Sequence, residues 1–369
     1  MALDSDVKAP SDITSTNETL VDMMMERAVD LLRLEAGTRD KVIGILDTLG
    51  NEITAAIAKI DPSGPARAAA QRARLVRLLD IVRKNIAAAY RQANTMLASE
   101  TRDVADVEST WTGNAMNAAM QAEFADVGLT RVQLDALASD VLIQGAPTKD
   151  WWARQSNGLT NLFADQMRRG IALGETNDQL VKRVRGKGGI IDVSKSSAER
   201  LVRSSVQTVA NAARQTTYAN NADLIKALRW HSTLDTSTSD WCLVRDSLLY
   251  GPVDHNPIDH DVPWLEGPGA IHWNCRSTSV PIMKSWRDLG IDADEVPQTT
   301  RASMDGQVPA ATTFESWLKK QSATRQDTTL GAAKAKLWRD GKITLRDLLD
   351  QSGRPVTAEQ LRAKAARKN

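Results

Sequence analysis

The sequence predicts a mainly α protein. Long N-terminal helices lead into a helical region with a small α+β part and an irregular His/Cys-bearing loop, and a C-terminal helical tail follows. Three observations predict this. Leu75, Leu79, Val82, Ile86, Ala89, Ala93 and Met96 recur in alternating steps of four and three, a heptad seam. Helix-start signatures of the form Ser/Thr-x-x-Glu/Gln recur at Ser15, Thr176, Ser196 and Thr312. Both cysteines, all four histidines and four of the ten tryptophans crowd into residues 229–283. There Asp, Ser, Gly and Pro interrupt every apolar run, so short strands and turns under a long loop are expected.

Composition bounds the function classes. The 369 residues suffice for about two or three domains. Charged residues make up 25% with a net charge of +1, which argues against a histone-like DNA coat but leaves room for local basic patches. No apolar run is long enough for a membrane span. Met1-Ala-Leu-Asp-Ser-Asp6 has no basic n-region or apolar stretch, so no secretory signal is expected. Two cysteines fit synthesis in a reducing cytoplasm.

Residues 1–14 are polar and expected to be disordered. Residues 15–125 read as an N-terminal helical region. Ser15-x-x-Glu18 opens a helix with Val21, Met24, Ala28, Leu31 and Leu32 on one face. Met23–Met25 suit core filling or an adaptable contact. The helical pattern resumes at 39–60 after Gly37, and Pro62-Ser-Gly-Pro65 breaks it. A long helix from Pro65 carries the seam, which can pack within the chain or against another subunit. Between Arg67 and Arg91 it holds seven basic residues, Arg67, Arg72, Arg74, Arg77, Arg83, Lys84 and Arg91, against one acid, Asp80. Such a run suits non-specific contact with nucleic-acid phosphates or a solvated helix face.

Composition shifts after about residue 140. Nine of the ten tryptophans lie beyond it. Thr148 is a candidate cap for a helix carrying Trp151, Trp152, Leu159, Leu162, Phe163 and Met167. Thr176-x-x-Gln179 caps a short helix, and Gly186-Lys-Gly-Gly189 is a turn without the P-loop spacing. Ser196-x-x-Glu199 opens the helix that leads into the loop. Beyond the loop, Thr312-x-x-Glu315 caps a helix with Trp317 and Leu318, and Leu330–Asp350 reads as two helices broken at Gly341.

Within the loop, Asp235, Ser237 and Asp240 suit a side-chain-bonded turn. His272-Trp-Asn-Cys275-Arg276 runs into a strand at Ser277–Ile282. Folding should bring Cys242 near His272 and Cys275. Three readings stay open. The three side chains can hold three corners of a structural zinc site, with His231, Asp246, His255 or His260 as the fourth ligand. The cysteines can form a disulfide. Or all three simply pack.

The order Thr233-x-Asp235-x-Ser237/Thr238…Cys242, a Gly/Pro loop, then His272-x-Asn274-Cys275-Arg276 before a strand resembles the phage Mu F-like (MuF) head-morphogenesis family. Gly145 followed by Trp151 or Trp152, the helix ending RRGIALGETNDQLVKRV, and Arg203 and Asn211 in the helix 199–224 add to the resemblance, which covers roughly residues 140–285. One departure stands out. Where many relatives carry a cysteine three residues after the first, this chain has Arg245. The resemblance implies a MuF-like domain at 126–300 and a C-terminal helical tail at 301–369. It implies a structural minor head protein of a tailed phage, in the capsid interior or neck of the virion. Expected partners are the portal protein and other phage head proteins, with contact to packaged DNA and passage into the host as further expectations.

Enzyme readings fare less well. Asp259-His260-x-x-Pro263 followed by Asn274 resembles the HNH nuclease pattern, a metal-dependent alternative, but Ser277-Thr278-Ser279 stands where the third residue belongs. Those same residues resemble the STS strand of ADP-ribosyltransferases, without the later Glu-x-Glu. No GxSxG, HExxH or GxGxxG occurs. No catalytic residues and no cofactor beyond the candidate zinc are assigned.

Overall fold

The structure, a computed structural model, describes residues 15–59, 68–291, 300–304, 306–309, 312–350 and 353–366. It is mainly α. In order come α1 (Ser15–Ala58), α2 (Ala68–Met120), α3 (Arg131–Asp140), α4 (Thr148–Ala172), α5 (Asn177–Arg185), α6 (Ile190–Asn220), β1 (Ile225–His231), α7 (Asp240–Leu243), β2 (Leu249–Tyr250), β3 (Pro257–Ile258) and β4 (Thr278–Met283). A β5–β6 hairpin (Thr300–Ser303, Gly306–Pro309) and α8 (Phe314–Lys319), α9 (Ala323–Leu330), α10 (Ala332–Arg339) and α11 (Ala358–Ala366) complete it, with a 3-10 turn at Leu345–Leu348. No helix among the described residues is long and apolar enough to cross a membrane. The chain forms two compact units, one of residues 31–105 and 131–209, the other of residues 1–30, 106–130 and 210–369.

The named elements of the first unit are all helices among the described residues. The expected break at Gly37 does not occur, because α1 runs straight through it. A mid-helix glycine costs about 1 kcal/mol relative to alanine. Burial of Leu31, Val42, Leu46, Leu49, Ile53 and Ile57 along one stripe outweighs that. The middle of the α2 seam packs inside the chain, while Leu75, Leu79 and Met96 are only partly buried. Val82, Ile86, Ala89 and Ala93 are buried, and the stripe continues through Leu97 and Val104. Tyr90 meets Trp152 of α4 with ring centroids 5.8 Å apart. Gly170 lets α4 approach α5 closely, since a Cβ there would press on the Leu180 side chain.

Caps follow the sequence in part. Thr176 and Gln179 form the expected capping box on α5. Thr148 does not cap α4; it is the first helical residue, after Pro147, and no side chain caps that end. Nor does Ser196 open a helix. It lies inside α6, which starts at Ile190, and its hydroxyl donates back to the Asp192 carbonyl. The cap of α8 is Thr313, one residue beyond the expected Thr312. The expected break at Pro62–Pro65 and the Ser15 side chain lie outside the described residues.

The second unit is built on an antiparallel sheet of order β3-β2-β1-β4. The long pair is β1 with β4, from Ile225 opposite Met283 to His231 opposite Thr278. Every residue of β4 is buried. Helix α6 lies against it: Tyr218 donates to the Ser279 carbonyl at 3.2 Å, Gln215 to the Ser279 hydroxyl at 2.6 Å, and Arg214 to Thr278. Arg214 is also ion-paired with the fully buried Glu108, at 2.5 Å, and Arg27 takes the other carboxylate oxygen at 2.9 Å. Met24 is core, with Met23 and Met25 packed against it. A second core joins Leu234, Leu243, Val244 and Val262 of the loop to Phe314, Trp317, Trp338, Leu348 and Leu361 of the C-terminal helices. Those helices are therefore docked on the loop.

Candidate metal centre

The loop between β1 and β4 is pinned at its entry by a turn. Asp235 accepts from the Ser237 N–H at 2.8 Å and the Thr238 hydroxyl at 3.3 Å. Arg276, just before β4, grips the same carboxylate from the far end of the loop. Burial pushes the Asp235 carboxyl up, but the Arg276 hydrogen bonds and charge outweigh it and hold it below the usual range. Five non-glycine residues between the ends adopt positive φ: Ser247, His255, Asp259, Leu265 and Asn274. The loop thus has a defined path rather than a slack one.

The structure brings Cys242, His272 and Cys275 together, with one donor atom from each lying within 4.8 Å of the others. Cys242 sits in the single turn of α7. Its Sγ is 3.6 Å from Cys275 Sγ and 3.2 Å from His272 Nε2. Both cysteines are buried free thiols. His272 Nδ1 lies 2.9 Å from the Trp273 carbonyl, and Gly269 donates its N–H to Cys275 Sγ at 3.3 Å. Burial pushes the Cys242 thiol up, and the neighbouring sulfur adds to this. Burial would raise Cys275 too, but hydrogen bonds from Cys242 and His272 pull it well below its ordinary value. The donor types suit zinc. Tetrahedral corners with Zn–S of about 2.3 Å and Zn–N of about 2.0–2.1 Å lie about 3.5–3.8 Å apart, so these sulfurs and this nitrogen are nearly placed.

The expected fourth ligands are not beside them. Asp246 accepts the Ser232 and Phe314 N–H groups at 2.9 and 2.8 Å. His255 stacks on Trp264 at 4.6 Å and bonds Gln215. His260 Nε2 is 2.8 Å from the Leu249 carbonyl, and its Nδ1 accepts from Val262. His231 lies in β1 opposite Thr278, outside the donor cluster. Sequence reasoning missed Ser239. It stands at the N-cap of α7, yet its hydroxyl caps nothing; its Oγ lies 2.7 Å from His272 Nε2. The only signal was Ser-x-x-Cys at a short helix start.

Arg245 is fully buried. Its guanidinium donates to the carbonyls of Trp241 (2.8 Å), Pro263 (2.9 and 3.1 Å) and Gly353 (3.3 Å), and it lies over the Trp230 ring at 5.6 Å. It ties α7 to the loop and to the C-terminal segment.

The basic run on α2 separates into pieces. Arg67 and the Arg72 side chain lie outside the described residues. Arg74 and Arg77 line a groove with Lys59 and Glu52. Arg83 and Lys84 both pair with Asp80, at 2.8 and 2.7 Å, and Arg91 is exposed. A wider charge pattern escaped the composition. The first unit carries 24 Lys and Arg against 16 Asp and Glu, a net of +8, while the sheet-containing unit carries 23 against 30, a net of −7.

Residues 161–280, from α4 into β4, match the family model described as Phage Mu protein F like protein. No curated protein and no solved structure matched the chain.

Proposed function

We propose that this chain, a Mu F-like phage head protein by residues 161–280, is a structural minor head protein of a tailed phage. It works at or near the portal in head assembly and DNA packaging, inside the capsid or at the neck, and can leave with the DNA. The observation that carries this reading beyond the family is the sorting of charge. A chain of net +1 concentrates +8 on one compact unit, which suits contact with a phosphate backbone without base readout. The loop supports a scaffolding role, because Asp235 with Arg276, Arg245 and Asp246 each tie separate segments together. His260, the general base of a nuclease reading, is held by two backbone groups.

Affinity capture of the tagged protein from infected cells, with mass spectrometry of purified heads, tests the reading. The portal protein should co-purify, and the chain should be present in mature heads. Its absence from heads, or metal-dependent nicking of plasmid that His260→Ala abolishes without lowering Tm, would replace it with the nuclease.

A further inference from the structure

We propose that Cys242, His272 and Cys275 bind one zinc ion and that the Ser239 hydroxyl, not a fourth Cys, His or carboxylate, supplies the remaining corner. Three observations carry this. The Sγ–Sγ and Sγ–Nε2 separations of 3.6 and 3.2 Å are within a few tenths of an ångström of tetrahedral edges. The Ser239 hydroxyl, freed from capping α7, is directed at the same imidazole nitrogen. The position three residues after Cys242 is Arg245, turned away and bound to backbone carbonyls.

Charge explains why an oxygen corner suits this chain. A zinc ion with two thiolates, a neutral imidazole and a neutral hydroxyl forms an uncharged group. A third thiolate would leave a net negative charge at a site where both sulfurs are buried. The Trp273 carbonyl accepts a hydrogen bond from Nδ1–H and so presents Nε2 as the ligand, and the Gly269 N–H supports the Cys275 sulfur. Both sulfurs bind as thiolates, and any proton still on them leaves to solvent.

The test uses the full chain, purified under reducing conditions and loaded with Zn2+ or Co2+. One equivalent of zinc should bind, and X-ray absorption should report two sulfurs and two lighter ligands. Co2+ should give a tetrahedral spectrum. Ser239→Ala should weaken metal affinity at least as much as loss of a supporting contact does, about 10–100-fold. Ser239→Cys should tighten it and raise the thiolate-to-cobalt charge-transfer intensity from two sulfurs toward three. His272→Ala should abolish stoichiometric binding. Because Cys275→Ala can fail to fold, chelation of the wild-type protein provides the independent readout and should lower Tm. Two free thiols without metal affinity, a disulfide under reducing conditions, or unchanged cobalt intensity in Ser239→Cys would each overturn the assignment.

Discussion

Arg276 holds Asp235 with both terminal nitrogens, Nη1 to Oδ2 at 2.6 Å and Nη2 to Oδ1 at 2.9 Å, across 41 residues of chain. The pair closes the loop as a planar fork that lysine cannot reproduce. Arg276→Lys should lower stability by about 1.5 kcal/mol, the low end for a charged hydrogen bond because the pair is partly exposed. The pH dependence has a definite sign. The Asp235 carboxyl is depressed in the folded chain, so its contribution is fully present above the unfolded value, about 3.9, and is lost as pH falls through the folded one. Asp235→Asn should therefore melt earlier than wild type at neutral pH, with the gap narrowing in acid. Parallel melting curves across that range would show that the pair contributes nothing.

Arg245 and Gly353 make the second prediction. Removing the guanidinium leaves the carbonyls of Trp241, Pro263 and Gly353 without their donor in a buried site. Arg245→Met should cost about 2–4 kcal/mol and should loosen residues 312–366 first in amide exchange. Gly353 has φ +72°, and a Cβ there would lie 2.8 Å from the guanidinium, so Gly353→Ala should act in the same direction. Uniform exchange in Arg245→Met would argue against the clasp.

The seam on α2 is an internal packing stripe, with Ile86 fully buried. Ile86→Ala should destabilise by about 2–4 kcal/mol. Its midpoint in denaturant should not depend on protein concentration. A concentration-dependent midpoint would relocate that residue to a subunit interface.

For DNA, electrophoretic shifts with duplexes of unrelated sequence should show equal affinity and a steep fall with salt. Charge reversal at Arg74 and Arg77, which share a groove with Lys59, should weaken binding and reduce the salt slope. Reversal at Arg83 should do less, because Asp80 already offsets part of the charge it shares with Lys84. Equal effects at the two places would disperse the patch over the whole unit.

Much of this was legible in the sequence where the signal is local. Periodicity gave the α2 stripe, Thr176–Gln179 gave a cap, and Asp235 with Ser237 gave a turn, because each needs only neighbours along the chain. The misses are tertiary. Gly37 looked like a break because propensity ignores the stripe buried on either side of it. Ser196 looked like a cap because the same hydroxyl can bond back inside a helix. Arg245 stood out only as a departure from the family's cysteine; its clasp was not legible, since its carbonyl partners come from residues 241, 263 and 353. The ligand cluster was legible as types and order, while Ser239 was hidden by its resemblance to an ordinary cap. The two opposite net charges were invisible because the two units interleave along the chain.

The five positive-φ residues of the loop have a consequence for which substitutions the chain tolerates. At Ser247, His255, Asp259, Leu265 and Asn274 the restriction lies in the backbone, so side-chain chemistry is the wrong guide to acceptable replacements. Glycine and asparagine fit there at little cost, whereas valine and isoleucine strain the turn whatever they touch. A saturation library scored for soluble protein would then show an inverted preference at Leu265. This half-exposed leucine would give way to glycine more readily than to isoleucine, its nearest chemical relative.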